Sequence, residues 1–187
     1  DVQSVAVIRV PGYPDSIMVA ALVPPGPQPG RLVFYNARNF IELACEETGI
    51  KPEGIASDGN QKVACINEGF MNTTLDSRGS MTLCDGLVAN GSISFSCKTF
   101  DFIPENMEDG HINSTALRRE GVRLYGPMGE DPSFDLEPEG CTFTEDGKYV
   151  FIVFQDNNAY GIFDVETEKY KFIKGFRPHS VLIDPSD

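Results

Sequence analysis

The side chains best placed to do chemistry in this sequence are carboxylates and amides at the ends of apolar runs. Glu68 and Asp156 each directly follow the second apolar run of a segment. Carboxylate and amide oxygens are the ligands that calcium prefers, so these two residues are the first candidates for a calcium site. Further candidates at similar positions are Asp58, Asp146, Asn157, Asn158, Asp184 and Asp187. The alternative is that these residues only shape turns through side-chain hydrogen bonds to the backbone.

A second acidic pair belongs to a repeated motif. Pro52-Glu53-Gly54 recurs as Pro138-Glu139-Gly140, and the copies are followed by Asp58-Gly59 and Asp146-Gly147. Glu53 and Glu139 could face each other as a paired acid and base. A repeated glutamate at a strand start more often bonds to the backbone of the adjacent unit, and the structural role is favoured.

The common catalytic motifs are absent from the sequence, which has no phosphate-binding glycine loop, nucleophile elbow or zinc helix. Its two histidines, His111 and His179, offer little for a histidine triad. His179 lies where a further unit should begin. It could be a ligand there, or a structural histidine held by hydrogen bonds. Because catalytic residues are scarce, the sequence favours a protein that is not an enzyme and leaves the question open.

The charge balance limits the partners. The chain carries 15 Lys and Arg against 28 Asp and Glu, a net charge of −13. Nucleic acids and anionic membrane surfaces are bound by neutralising phosphates with basic residues, so both are unfavourable partners. No run reaches the roughly 20 apolar residues of a membrane span. Cations, and surfaces that present cations, are the better electrostatic match.

Two features indicate an extracellular or surface location. Sequons for N-glycosylation begin at Asn72, Asn90 and Asn113, all in polar surroundings. The cysteines lack the spacing of a zinc site, which favours disulfides in an oxidising compartment. Their pairing is open, with Cys84–Cys97 as the first candidate, and their odd number leaves at least one unpaired within the chain. The five are Cys45, Cys65, Cys84, Cys97 and Cys141.

Alternating apolar runs predict an all-β chain of about three four-stranded antiparallel units. In the first unit, a strand is expected at residues 40–46. In the second unit, long polar excursions are expected after Glu68 and after Asp85. An irregular insertion is expected at residues 103–129, with one short helical turn at 116–120. The predicted units cover residues 3–48, 51–102 and 137–174, and residues 175–187 would begin a further unit.

Repeated four-stranded units are typical of β-propeller blades. A β-sandwich would also contain many short strands, but it would not explain why the Pro-Glu-Gly and Asp-Gly landmarks recur in order. Propellers close with about four to eight blades. Residues 1–187 are therefore predicted to form part of a larger propeller, whose remaining blades lie in further sequence or in another chain.

Several motifs resemble one known family. They include Leu136-Glu137-Pro138-Glu139-Gly140, Gln155-Asp156-Asn157-Asn158-Ala159 and Gly175-Phe176-Arg177-Pro178-His179-Ser180. The chain resembles the mesenchyme-specific cell surface glycoproteins of biomineralising animals and their bacterial relatives, the choice-of-anchor I proteins. The resemblance implies a secreted or surface-anchored propeller glycoprotein associated with extracellular matrix and calcium carbonate deposition.

These observations lead to one primary hypothesis and two alternatives. The primary hypothesis is a non-catalytic extracellular propeller module that associates with matrix, mineral surfaces or calcium, the one expected cofactor. The first alternative is a metal-dependent phosphoesterase, as the alkaline-phosphatase-like label of some relatives implies. Its basic lining would be limited to Arg31, Arg123 and Arg177. The second alternative is a structural subunit that other protein chains complete.

Overall fold

Three antiparallel sheets make up most of the described part of the protein. A computed structural model describes residues 1–70, 76–124 and 131–176. Within those residues, each sheet has four strands that pair in chain order. The strands are β1 (Val2–Ile8), β2 (Ile17–Leu22), β3 (Pro29–Asn36), β4 (Glu42–Ile50), β5 (Pro52–Ser57), β6 (Lys62–Asn67), β7 (Ser80–Ala89), β8 (Ser92–Asp101), β9 (Gly140–Phe143), β10 (Tyr149–Phe154), β11 (Ala159–Asp164) and β12 (Lys169–Gly175).

The sheets, here called blade 1 (β1–β4), blade 2 (β5–β8) and blade 3 (β9–β12), stand with their first strands side by side. Strand β5 contacts both β1 and β9. The Ile55 amide donates to Ser4 Oγ at 3.2 Å, and the Ser57 hydroxyl donates to the carbonyl of Val7 at 3.1 Å. The all-β prediction with three four-stranded antiparallel units is therefore confirmed, and the first strands are neighbours, as in propeller blades.

Two apolar cores hold the blades together. Between blades 1 and 2, the rings of Phe34 and Phe95 stack with centroids 3.8 Å apart. Between blades 2 and 3, Tyr170 is fully buried, and its hydroxyl donates to the carbonyl of Phe100 at 2.7 Å. Buried and half-buried residues alternate along β10, so one face of this strand packs into the core between blades 2 and 3. Each blade thus stabilises its neighbour through one sheet face.

Two local predictions were wrong. A strand was expected from Phe40, but β4 begins at Glu42 because the backbone turns first. Asn36 Oδ1 accepts hydrogen bonds from the amides of Arg38 and Asn39, and Phe40 has a positive φ of 60°. The expected excursion after Asp85 is also absent, since β7 continues to Ala89 and meets β8 across a two-residue turn.

The described residues of the insertion before blade 3 include a short α-helix. Helix α1 (Ser114–Arg119) begins where the side chain of Asn113 accepts a hydrogen bond from the Ala116 amide. Leu117 and Val122 are buried in the core between blades 2 and 3. The described insertion is therefore packed against the blades. Two single-turn 3₁₀ helices also occur, at Pro104–Asn106 and Pro132–Phe134. Within the described ranges, no helix has the length and hydropathy of a membrane span.

A disulfide joins Cys84 and Cys97, which face each other across β7 and β8 with Cα atoms 4.1 Å apart. The thiols of Cys45, Cys65 and Cys141 are free. Burial raises the pKa of Cys141 to about 12, so this thiol stays protonated and packs as a small apolar group.

Removing the disulfide should cost stability because it releases a constraint on the unfolded chain. Changing Cys84 and Cys97 together to alanine is expected to lower the free energy of unfolding by about 2 kcal/mol. Urea denaturation measures the change, and Cys45→Ala, at an exposed free thiol, is the control. Equal midpoints for the double variant and the unmodified protein would contradict this expectation.

Candidate functional site

The candidate site lies where the first strands of blades 2 and 3 begin. On the blade 2 side, the Glu68 amide donates to the carbonyl of Lys51 at 3.0 Å, so the end of β6 closes onto the start of β5. Lys51 has a positive φ of 57°, an uncommon conformation for a lysine. Its ammonium forms an ion pair with the Glu68 carboxylate and lies 3.6 Å from Glu53 Oε1. Lys51 thus holds two carboxylates of blade 2 together.

Blade 3 approaches the same place. The Glu139 amide donates to the carbonyl of Val153 at 3.0 Å, which aligns the start of β9 with β10. A Cβ atom on Gly54 would lie 3.2 Å from the carbonyl oxygen of Glu139, so β5 and β9 run close together here. Asp156 lies in the turn between β10 and β11, at the same end of the blade.

Electrostatic coupling identifies the side chains that act together. We call the following side chains the acidic cluster: Glu53, Glu68, Glu137, Glu139 and Asp156, with Lys51. The charge of Asp135 also acts on Glu137, from the segment before β9.

Burial and neighbouring charge raise the pKa of three of these carboxyl groups. Burial, then the charges of Glu68 and Asp156, raise the pKa of Glu137 to about 7. Burial and the same two charges, with Asp156 the stronger, raise the pKa of Glu139. Burial and Glu68 raise the pKa of Glu53, against the opposing effect of Lys51. Glu68 and Asp156 therefore act on the carboxyl groups around them from both blades.

The neighbouring carboxylates favour the charged form of Lys51, whereas they disfavour the charged form of one another. Burial alone would lower the pKa of Lys51, but the hydrogen bond and charge of Glu68, with the charge of Glu53, outweigh it and raise the pKa. Lys51 therefore stays charged near neutral pH. One ammonium faces five carboxylates, so the cluster has an excess of negative charge that would attract a cation.

Asn157 positions the blade 3 half of the cluster. This side chain is only 2% exposed. Its Nδ2 donates to the carbonyls of Asp135 and Arg123 at 2.6 and 2.9 Å, and its Oδ1 accepts from the Glu137 amide at 3.0 Å. One asparagine thereby fixes the segment that carries Glu137, next to Asp156. The asparagine in the Gln-Asp-Asn-Asn-Ala motif thus has a structural role.

The acidic cluster is not a closed set of metal ligands. Among the described residues, no three acidic, cysteine or histidine side chains converge closely enough to ligate one metal ion. The carboxylates of the cluster act on one another through their charges.

The other predicted oxygen ligands lie elsewhere or serve the backbone. Asp58 and Asp146 lie in turns at the opposite end of their blades, where each Oδ1 accepts backbone amide hydrogen bonds. Asn158 has a positive φ of 51° and donates to the carbonyl of Phe176 at 3.0 Å. For these three residues the turn interpretation accounts for the contacts. Asp184 and Asp187 lie outside the described residues.

The remaining sequence candidates are dispersed. His111 is exposed, and Arg31 is an exposed residue of β3 in blade 1. The backbone amide of Arg123 donates to the carbonyl of Asn157 at 2.8 Å. His179 and Arg177 lie outside the described residues.

The sequons occupy different settings. Asn90 is exposed in the turn between β7 and β8, and Asn113 is exposed at the start of α1. Both positions are accessible to a modifying enzyme. Asn72 lies outside the described residues.

Lys51 and Glu137 were missed as members of the site. Glu137 stands two residues before Glu139 in the Leu-Glu-Pro-Glu motif, and this spacing was an available signal. Lys51 directly precedes the first Pro-Glu-Gly copy, but only its positive φ explains why it turns toward Glu68.

Glu137 is expected to titrate near pH 7 in metal-free protein. Its folded pKa lies above the unfolded value, so it favours the folded state at low pH, and that stabilisation is lost as pH rises from about 4.5 to 7. Asp156→Asn should lower the pKa of Glu137 because it removes a neighbouring negative charge. Carbon-13 NMR of the carboxyl group measures both, with Glu145→Gln as the control. An ordinary glutamate pKa in the unmodified protein would contradict the described burial and charge.

The sequence model of the choice-of-anchor I domain matches residues 1–187. The chain is also similar to arginine–tRNA ligase of Bifidobacterium longum (strain NCC 2705), with 27% identity over 95 residues, 46% of this chain and 15% of that protein. Among solved structures, Kuenenia stuttgartiensis hydrazine synthase matches 86% of this chain and 39% of its own, with a TM-score of 0.51 and 12% identity. At that identity, the likeness shows the fold alone.

Proposed function

Because the chain belongs to the choice-of-anchor I domain family, which indicates a cell-surface or extracellular module, we propose that the protein is a non-catalytic propeller module that binds calcium. The acidic cluster is the proposed binding site, and Glu68 and Asp156 are its principal ligands. Matrix components and mineral surfaces that present calcium are the proposed partners. Glycans at the exposed Asn90 and Asn113 would suit the same location.

One observation carries this proposal: carboxylates from two blades act on one another through their charges at the start of the first strands, with Lys51 among them. A calcium ion bound there would take its remaining oxygens from water. Lys51 pairs with Glu68 and lies near Glu53, while Glu137 and Glu139 approach from blade 3. Mutual repulsion among these groups is relieved when a divalent cation binds. The net charge of −13 supports attraction of cations from a distance.

The same electrostatics disfavours the phosphoesterase alternative. A phosphate ester carries negative charge and needs cationic groups or bound metal to enter an acidic site. Lys51, the cation that acts on Glu53, Glu137 and Glu139, is already paired with Glu68. Arg31 lies in blade 1, away from the acidic cluster.

Open sheet faces support the proposal that further blades or chains complete the assembly. Val5 and Val7 on β1 are 61% and 54% exposed. On blade 3, the ring of Tyr160 stacks on Phe151 and packs against Phe176. Phe151 and Tyr160 are half-buried and Phe176 is 45% exposed. Apolar faces left open in this way are typical of surfaces that a neighbouring unit covers.

Isothermal titration with calcium tests the proposed site. The unmodified protein is expected to take up calcium, and Glu68→Gln with Asp156→Asn should weaken that uptake at least tenfold, because two principal ligands lose their charge. The matched control is Glu145→Gln with Glu166→Gln, which removes the same charge from exposed turns at the opposite end of blade 3. Equal weakening in both double variants would indicate diffuse charge attraction and would refute the site.

A further inference from the structure

We propose a second, buried calcium site held by Asp76 and Asp135, where the chain before β7 meets the segment that leads into blade 3. This site goes beyond the proposed function, because it would join two blades and stabilise the fold. Calcium binding at the acidic cluster would serve partners at the surface.

The first observation is a buried carboxylate oxygen without a partner. Asp135 is 8% exposed, and within the described part of the chain its Oδ2 has no hydrogen-bond donor. Its backbone is satisfied, since its amide donates to the carbonyl of Pro132 and its carbonyl accepts from Asn157. A buried carboxylate oxygen with no donor is costly, so the ionised group requires a counter-charge.

The second observation is that Asp76 has the same deficiency. Its Oδ2 is buried and also lacks a donor among the residues that the structure describes. Burial, then the charge of Asp135, raise the pKa of Asp76. Two carboxylates within each other's fields, each with an oxygen unsatisfied, form an anchor for a cation or share a proton.

Nearby cationic side chains are already engaged. The guanidinium of Arg78 bonds to Asp131 at 3.2 Å and to Ser133 Oγ at 2.8 Å, and it lies 4.6 Å from the ring centroid of Phe134. Lys51 pairs with Glu68. The charge of Asp76 and Asp135 is therefore best balanced by a cation from solution.

Calcium fits these ligands better than other common metals. Both side chains offer only oxygen, and calcium accepts carboxylate, carbonyl and water oxygens in variable geometry. Magnesium demands regular octahedral geometry and retains several waters, which a buried pair of carboxylates suits poorly. A bound ion would reinforce the contact between the Gly79 amide and the Ser133 carbonyl, 3.3 Å apart.

Thermal unfolding with and without calcium tests the buried site. Calcium is expected to raise the Tm of the unmodified protein, because it binds the folded state. Asp135→Asn should reduce this rise to the part that the acidic cluster contributes, and Asp76→Asn provides a second variant in case the first does not fold. Glu145→Gln with Glu166→Gln should keep the full rise.

The acidic cluster is tested separately in the same experiment. Glu68→Gln with Asp156→Asn should lose calcium uptake at the cluster and only the cluster's part of the rise in Tm. Adding Asp135→Asn to this double variant should abolish the part that remains. The buried site is overturned if Asp135→Asn and Asp76→Asn keep the full rise. It is also overturned if Tm depends on pH but not on calcium, which indicates a shared proton. An equal rise with magnesium would refute the assignment to calcium.

Discussion

Changing Gly79 to alanine is expected to lower the free energy of unfolding by about 3 kcal/mol, because a buried backbone contact has no room for a side chain. A Cβ atom at this position would lie 2.0 Å from the carbonyl oxygen of Leu136 and 2.9 Å from Pro138 Cδ. Neither group can rotate away as a flexible side chain would. The clash would push blade 3 from blade 2 at the segment that carries Glu137.

Gly140→Ala is the matched control for this substitution. Gly140 begins β9, directly after Glu139, and a Cβ atom there would meet nothing within 4 Å. Its effect should stay within about 0.5 kcal/mol, as for other surface changes. Urea denaturation of the two variants gives the comparison. Equal free energies of unfolding for the two variants would contradict the close approach of the Leu136 carbonyl oxygen to Gly79.

Asn157→Ala is expected to destabilise the protein by about 3 kcal/mol, because three backbone groups lose their hydrogen-bond partner at once, one of them buried and two part-buried. The carbonyls of Arg123 and Asp135 and the amide of Glu137 all bond to this one side chain. Losing them should also free the Glu137 segment, so calcium affinity should fall with stability.

Asn60→Ala is the control, since Asn60 is an exposed asparagine in the turn between β5 and β6. It should change neither the urea midpoint nor the calcium affinity measured by titration. If Asn157→Ala loses stability but keeps its calcium affinity, Asn157 supports the fold and does not position the calcium site. No loss of either would contradict its role in the fold.

Local features of the sequence were enough to predict the sheets. Asp-Gly pairs mark two hairpins, and Gly59 and Gly147 have positive φ values of 79° and 69°. The alternation along β10 is plain in the sequence and in the burial pattern. Phe40 could not be predicted, because its positive φ depends on hydrogen bonds to the Asn36 side chain.

The site was only partly predictable, for a physical reason. The positions of Glu68 and Asp156 after their strands followed from the periodicity, but their proximity depends on how two blades pack. The raised pKa of Glu137 arises from burial and from charges far away in sequence. The unsatisfied carboxylates of Asp76 and Asp135 likewise become visible only when the segments meet.

Carbon-13 NMR of the side-chain carboxyl groups during a calcium titration would detect binding at each carboxylate separately. We expect the resonances of Glu53, Glu68, Glu137, Glu139 and Asp156 to shift together and to saturate at one calcium concentration. The resonances of Glu145 and Glu166 should remain in place. Cluster resonances that stay fixed while calcium is added, or equal shifts across all surface carboxylates, would contradict a calcium site between blades 2 and 3.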